Sequence, residues 1–73
     1  MNILDWDLIP KIVCKLLDYK IPKQILDSIV LNTVGRNELN VINDLLTVLI
    51  ILAREGVDDR ELYDLIDRAV KSN

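Results

Sequence analysis

The stretch Leu45-Leu46-Thr47-Val48-Leu49-Ile50-Ile51-Leu52-Ala53 is a nearly unbroken aliphatic run in the middle of a 73-residue chain. It is about half as long as the roughly 20 residues that a membrane-spanning helix needs, so we expect it in a soluble protein. A chain of this size buries only roughly 60% of the surface that its unfolded form exposes. The run therefore predicts that its helix is covered by a second copy of the chain or by a partner.

The composition leaves few other ways of stabilising so small a domain. Apolar residues make up 51% of the chain, which has no His and a single Cys. One cysteine excludes an intrachain disulfide, and the lack of His leaves a transition-metal site almost without ligands. Since small domains generally need a disulfide, a metal or oligomerisation, we expect one helical domain over residues 1–73. We expect it to be a homodimer with no cofactor and no metal.

Hydrophobic spacing predicts four helices, at about 5–19, 22–34, 37–55 and 58–71. No segment alternates apolar and polar residues at a period of two, which a half-buried strand requires. The expected fold class is therefore all-α, a small four-helix domain that forms a homodimeric helical bundle.

Capping signals mark the ends of these helices. Asn37 is a good N-cap for the third helix. Asp58 and Glu61 fit a capping box at the start of the fourth helix, which makes Asp58 the predicted N-cap. Gly35 is expected to end the second helix in a left-handed conformation, and Gly56 to stop the third.

The third helix has an apolar arc of about 200°. Its neighbours are shorter, at ~20 Å against ~27 Å, and cannot easily cover its length and breadth. A twofold dimer through this helix is the expected arrangement, and a compact monomer with a central third helix is the alternative. We expect Leu46 and Leu49 in the core and Ile51 in the polar stripe. The candidate interface residues are Val48, Leu49, Ile50, Ile51, Leu52 and Trp6.

Trp6 is the only tryptophan of the chain and lies near its N-terminus. A lone Trp either closes the end of a helical bundle or anchors a partner protein in an interface. The sequence leaves both roles open.

Catalytic chemistry has little support in these residues. There is no His to act as a base, Cys14 has no recognisable activating group, and no glycine-rich phosphate loop is present. We therefore expect no catalytic residues and a non-catalytic role as an adaptor, regulator or assembly subunit. The N-terminus lacks the pattern of a signal peptide, so the expected location is the cytoplasm.

Binding of nucleic acid is the alternative function. Residues 1–36 carry five Lys and Arg against four Asp, whereas residues 37–73 carry four against eight Asp and Glu. A patch around the corner of the first two helices could meet phosphates, although a solvated face explains the same residues. The residues of this predicted patch are Lys11, Lys15, Lys20 and Lys23.

The tripeptide Asp27-Ser28-Ile29 is similar to the Asp-Ser-Leu of acyl carrier proteins, which are acidic four-helix proteins of similar length. The resemblance implies a phosphopantetheine arm on Ser28, at the start of a helix. The helical spacing instead places Ser28 within the second helix. We therefore expect Ser28 to be an ordinary solvent-facing residue of that helix.

Overall fold

The computed structural model describes residues 3–71, which form four α-helices joined by turns. A 3₁₀ turn at Trp6–Leu8 continues into α1 (Ile9–Leu16), which is followed by α2 (Lys23–Val34), α3 (Glu38–Arg54) and α4 (Arg60–Val70). These residues include no strand, so the all-α prediction is confirmed for them. None of their helices has the length and hydrophobicity needed to cross a membrane.

A single hydrophobic core joins the helices, and the described residues bury no polar side chain in it. α2 and α3 pack side by side, while α1 packs mainly against α4. α2 contributes only Ile29 to the buried set. The other three helices supply most of the core through Ile9, Ile12, Leu16, Val41, Leu45, Val48, Leu52, Leu62, Ile66 and Ala69.

The segment before α1 ties two helices together. The backbone N–H groups of Ile3 and Leu4 donate to one carboxylate oxygen of Glu38, at 2.8 and 3.0 Å, in the first turn of α3. The N–H of Asp5 donates to the carbonyl of Ala69 near the end of α4, at 2.8 Å. The start of α3 and the end of α4 therefore lie at the same end of the molecule.

The first helix is shorter than its spacing predicted. Its first turn is 3₁₀, capped by Asp5, whose carboxylate accepts from the N–H of Asp7 at 3.1 Å. The α-helix ends at Leu16, and the N–H of Tyr19 turns back to the Leu16 carbonyl at 3.1 Å. This early end frees Tyr19 to reach α4.

α2 and α3 end in the same hydrogen-bonded turn, but with different residues in the left-handed position. Gly56 follows α3 with φ of 68°, the conformation that glycine adopts most easily. After α2, that position belongs to Arg36, with φ of 55°, while Gly35 has φ of −79°. The prediction for Gly35 is therefore wrong by one residue, because Gly35 still continues the helical backbone.

The start of α4 is also displaced by one residue. Asp59, not Asp58, is the N-cap, and its carboxylate accepts from the N–H of Leu62 at 3.0 Å. The predicted capping box of Asp58 and Glu61 is thus wrong. The physical reason is a contact with Tyr19 that holds Asp59 in place, described below.

Candidate interaction surface

α3 carries two apolar rows that lie side by side along its length. The inner row is buried in the core, with steps of four, three and four residues, and consists of Val41, Leu45, Val48 and Leu52. The residue after each of these is also apolar. Those four following residues, together with two further apolar residues on the same side of the helix, form the outer row. It consists of Leu39, Ile42, Leu46, Leu49, Ile50 and Ala53.

Most of the outer row is open to solvent. Leu39 is 73% exposed, and Leu46 and Ile50 are each 55% exposed. Ile42 and Leu49 are half-buried and pack against the edge of the core. The row contains no charged residue. An uncovered, uncharged helix face with this three-and-four spacing has the pattern of a helix–helix contact.

The structure redistributes the residues that the sequence assigned to the interface. Val48 and Leu52 are 0% and 1% exposed within the single chain, so they belong to its core and not to a surface. Ile50 stays exposed, and Leu49 is half-buried. Leu46, which the sequence placed in the core, is an exposed member of the outer row. Adjacent residues of a helix point about 100° apart. A rotation of α3 by that angle, relative to the predicted orientation, accounts for the burial of Val48 and Leu52 and for the exposure of Leu46.

Ile51 is covered by its own chain. It packs against the core and lines a cavity of about 290 Å³ with the turn at 18–21 and with Val57. The sequence placed this residue in a polar stripe, facing water or a mate. The connection between α1 and α2 shields it instead, so Ile51 presents little surface to a second chain.

Trp6 is half-buried at the end of the bundle and packs against the core. The guanidinium carbon of Arg36 lies 5.0 Å from the centre of its ring, within the range of a cation–π contact. Arg36 thus contacts Trp6 from the left-handed position after α2. This geometry fits the bundle-closing role of Trp6, and the role of a partner anchor stays a prediction.

A second apolar surface lies between α1 and α2. It is a groove of about 330 Å³, and its walls are almost entirely hydrophobic. The exposed Val30 and Val34 form one wall, and residues of α1 form the other. The full lining is Ile9, Pro10, Val13, Cys14, Val30, Thr33 and Val34.

The four lysines of the predicted nucleic-acid patch are partly neutralised. The Nζ of Lys15 lies 3.6 Å from Glu61 and 3.9 Å from Asp59, across the contact between α1 and α4. Lys23 pairs with Asp27 one turn further along α2, at 3.5 Å. The other two lysines are exposed and form no ion pair within residues 3–71: Lys11 and Lys20. Carboxylates beside two of the four cations reduce the attraction of this region for phosphates.

A hydrogen bond joins the turn after α1 to the start of α4. The hydroxyl of Tyr19 donates to a carboxylate oxygen of Asp59 at 2.5 Å, while the other oxygen caps α4. The hydrogen bond to the Asp59 carboxylate raises the pKa of Tyr19 to about 12. The same bond, with the N–H of Leu62, lowers the pKa of Asp59 below its usual value of 3.8. This pair is a structural tie, because both groups are already satisfied by the chain.

Ser28 lies in the middle of α2, and its hydroxyl donates to Asp44 of α3 at 2.6 Å. Asn32 extends this contact, since its amide donates to the carbonyl and the hydroxyl oxygen of Ser28, at 2.8 and 3.1 Å. Asn40 in turn donates to Asn32 at 3.3 Å. Ser28 is thus half-buried and helps to hold α2 on α3, so its predicted solvent-facing position is wrong. Its position within α2 also differs from that of the helix-start serine of acyl carrier proteins.

Comparison with protein-family models, with curated proteins and with solved structures found no match for this chain.

Proposed function

We propose that this protein is a non-catalytic interaction protein that acts as a homodimer, with the outer row of α3 as the contact between the two copies. The observation that carries the proposal is the exposure of this row beside a fully buried inner row. Burying apolar surface is worth roughly 25 cal/mol per Å², so covering these leucine and isoleucine side chains would stabilise an assembly. The row also contains no charge whose desolvation would oppose association.

In such a dimer, the groove between α1 and α2 stays available for a protein partner. The groove lies on two helices that contribute nothing to the outer row. Its hydrophobic walls suit the apolar side chains of another protein, as in an adaptor, a regulator or an assembly subunit. These roles share one physical requirement, which is a second apolar surface besides the dimer contact.

Light scattering coupled to gel filtration tests the dimer. We expect the mass of two chains at micromolar concentration and a melting temperature that rises with protein concentration, since association stabilises by mass action. Leu46→Glu should give the monomer mass with its helicity retained. A monomer mass for the unchanged protein at every concentration would contradict the proposal.

Leu31→Glu is the matched control for this experiment. Leu31 is 71% exposed and lies on α2, away from the outer row, so it offers the same change of side chain on a different face. We expect this variant to remain a dimer. Equal dissociation by both variants would indicate a general effect of added charge and would reject the outer row as the contact.

Binding of nucleic acid remains the alternative function for Lys11, Lys15, Lys20 and Lys23. A salt titration of binding to a generic DNA duplex separates the two functions, because phosphate contacts weaken steeply as salt increases. We expect no retention of the duplex even at low salt. Binding of the DNA duplex that weakens steeply as salt increases, and that is lost in Lys11→Glu, would favour the nucleic-acid-binding function.

A further inference from the structure

Five of the six residues of the outer row of α3 are placed symmetrically about Leu46, while the sixth, Leu49, has the polar Asn43 at the equivalent position three residues before Leu46. Leu46 lies at its centre, with Leu39 seven residues before it and Ala53 seven residues after it. Ile42 precedes Leu46 by four residues, and Ile50 follows it by four. A pattern of this kind is self-complementary under a twofold axis perpendicular to the helix, which passes through its central residue.

We propose that two copies of α3 pack antiparallel about a twofold axis at Leu46, an arrangement that rests on the dimer proposed above. Each residue then lies level with the mate's residue at the same distance on the other side of the centre. Leu46 meets Leu46 of the mate, and Ile42 lies level with the mate's Ile50. Leu39 lies level with the mate's Ala53, so the most exposed leucine of the row faces the smallest side chain of the row.

Packing favours this arrangement over a parallel pair. A parallel dimer places Leu39 against Leu39 at one end and Ala53 against Ala53 at the other. The first end is then held apart by two leucines, while the second leaves a gap between two alanines. Because interiors are close-packed, such an uneven separation loses contacts along the row. The antiparallel pair keeps the separation of the helices even over the ~21 Å from Leu39 to Ala53.

Electrostatics favour the same direction. α3 has its partial positive charge at the end near Glu38 and its partial negative charge at the end near Arg54. Antiparallel packing places each end of one helix level with the opposite end of the other. The chain has a net charge of −3, and the uncharged outer row is a face on which two such chains approach without opposing carboxylates.

A dimer of standard size covers a moderate share of the surface of each chain. A stable interface of standard size takes roughly 800 Å² from each partner. The described chain exposes 4897 Å² in total, so about one sixth of its surface is needed. The outer row runs along α3, the longest helix within residues 3–71, so a contact along it extends over much of the length of the chain's surface.

Cysteine cross-linking tests the direction of packing. The natural thiol is first removed by Cys14→Ser, because Cys14 is exposed. Leu46→Cys and Leu39→Cys are then each made in that background and oxidised with oxidised glutathione. Helices 8–10 Å apart bring facing Cα atoms to roughly 4–5 Å at a twofold axis, which a disulfide can span. The Leu39 positions of an antiparallel pair are ~21 Å apart and cannot be joined.

We expect Leu46→Cys to give predominantly cross-linked dimer and Leu39→Cys to give only the background level. An equimolar mixture of Leu39→Cys and Ala53→Cys chains should cross-link to each other, which is a second measurement that does not alter Leu46. The mass of each variant is measured by light scattering before oxidation.

Each outcome separates this inference from the proposed function. Dimers that cross-link through Leu39→Cys are parallel, whether or not Leu46→Cys also cross-links, because Leu46 faces its own copy in both directions of packing. That result overturns the antiparallel arrangement while the homodimer stands. Dimers that cross-link at none of these positions use another face and also overturn it. A monomer mass in the unchanged protein rejects both the homodimer and its arrangement.

Discussion

The inner and outer rows of α3 both consist only of aliphatic residues, yet the inner row is buried and most of the outer row is exposed. The inner row has no side chain more than 1% exposed, whereas Leu46 of the outer row is 55% exposed. The rows are offset by one residue, or about 100° around the helix axis. Spacing and hydrophobicity therefore identify both rows but do not say which of them faces the chain's own core.

The largest expected effect comes from truncating one leucine in each row. Leu45→Ala removes a fully buried side chain and should reduce the free energy of unfolding by about 2–5 kcal/mol. Leu46→Ala should change it by no more than about 0.5 kcal/mol in the monomer, as exposed substitutions usually do. Urea denaturation at the lowest usable protein concentration measures both. Equal losses would mean that the two rows are buried alike.

α4 contributes Leu62, Ile66 and Ala69 to the same core as the inner row, so the cap of α4 gives the next test. Asp59→Ala removes both the N-cap and the bond from Tyr19. It should lower the melting temperature by roughly 4–8 °C, the shift that loss of a helix cap produces in a domain of this size. Asp58→Ala is the matched control, because Asp58 is exposed and caps nothing. A larger drop in melting temperature for Asp58→Ala than for Asp59→Ala would show that Asp58 is the N-cap, as the sequence predicted.

The same cap should make stability depend on pH in acid. Folding lowers the pKa of Asp59 because its carboxylate accepts from Tyr19 and Leu62. Its contribution is therefore complete above the ordinary value of 3.8 and is lost as the pH falls through the lower folded value. The difference in melting temperature between the unchanged protein and Asp59→Ala should thus narrow below that pH. A difference that stays constant down to the acid limit would show that the charge of Asp59 is not involved.

The smallest effects are expected in the two turns that precede and follow α3. Gly56→Ala places a side chain at φ of 68° and should cost about 1 kcal/mol. Gly35→Ala has ordinary space and a helical φ, so it should be neutral or stabilise by up to about 1 kcal/mol. Thermal unfolding of the two variants measures the contrast. A cost at Gly35 as large as that at Gly56 would contradict the positions of the left-handed residues.

Local signals predicted most of the helices well. Asn37 caps α3 as expected, with its side chain accepting from the N–H of Asn40 at 3.2 Å. Gly56 ends α3, and Pro22 precedes the first residue of α2. These features depend on residues close together in the chain, whose hydrogen bonds and backbone preferences act without any distant contact.

The two errors at helix ends occur where a distant residue decided between two neighbouring candidates. The spacing to Glu61 favoured Asp58 as the cap of α4, but Tyr19, forty residues from Asp59, donates to Asp59, which is the N-cap in the structure. Arg36 takes the left-handed position after α2 and contacts Trp6 there, which offsets part of the cost of that backbone conformation. Neither distant contact has a signal in the local pattern.

Local sequence patterns were enough to predict an all-α fold with four helices, which residues 3–71 confirm. They also predicted that the third helix has more apolar surface than its neighbours can cover. Periodicity and capping decide these properties because they act within a few residues. The tertiary structure alone decided which side of α3 is core and which is exposed. That choice depends on the rotation of the helix against α2 and the shared core. A shift of one residue exchanges two rows of nearly equal hydrophobicity. The candidate interaction surface at Leu39, Leu46 and Ile50 follows from that rotation.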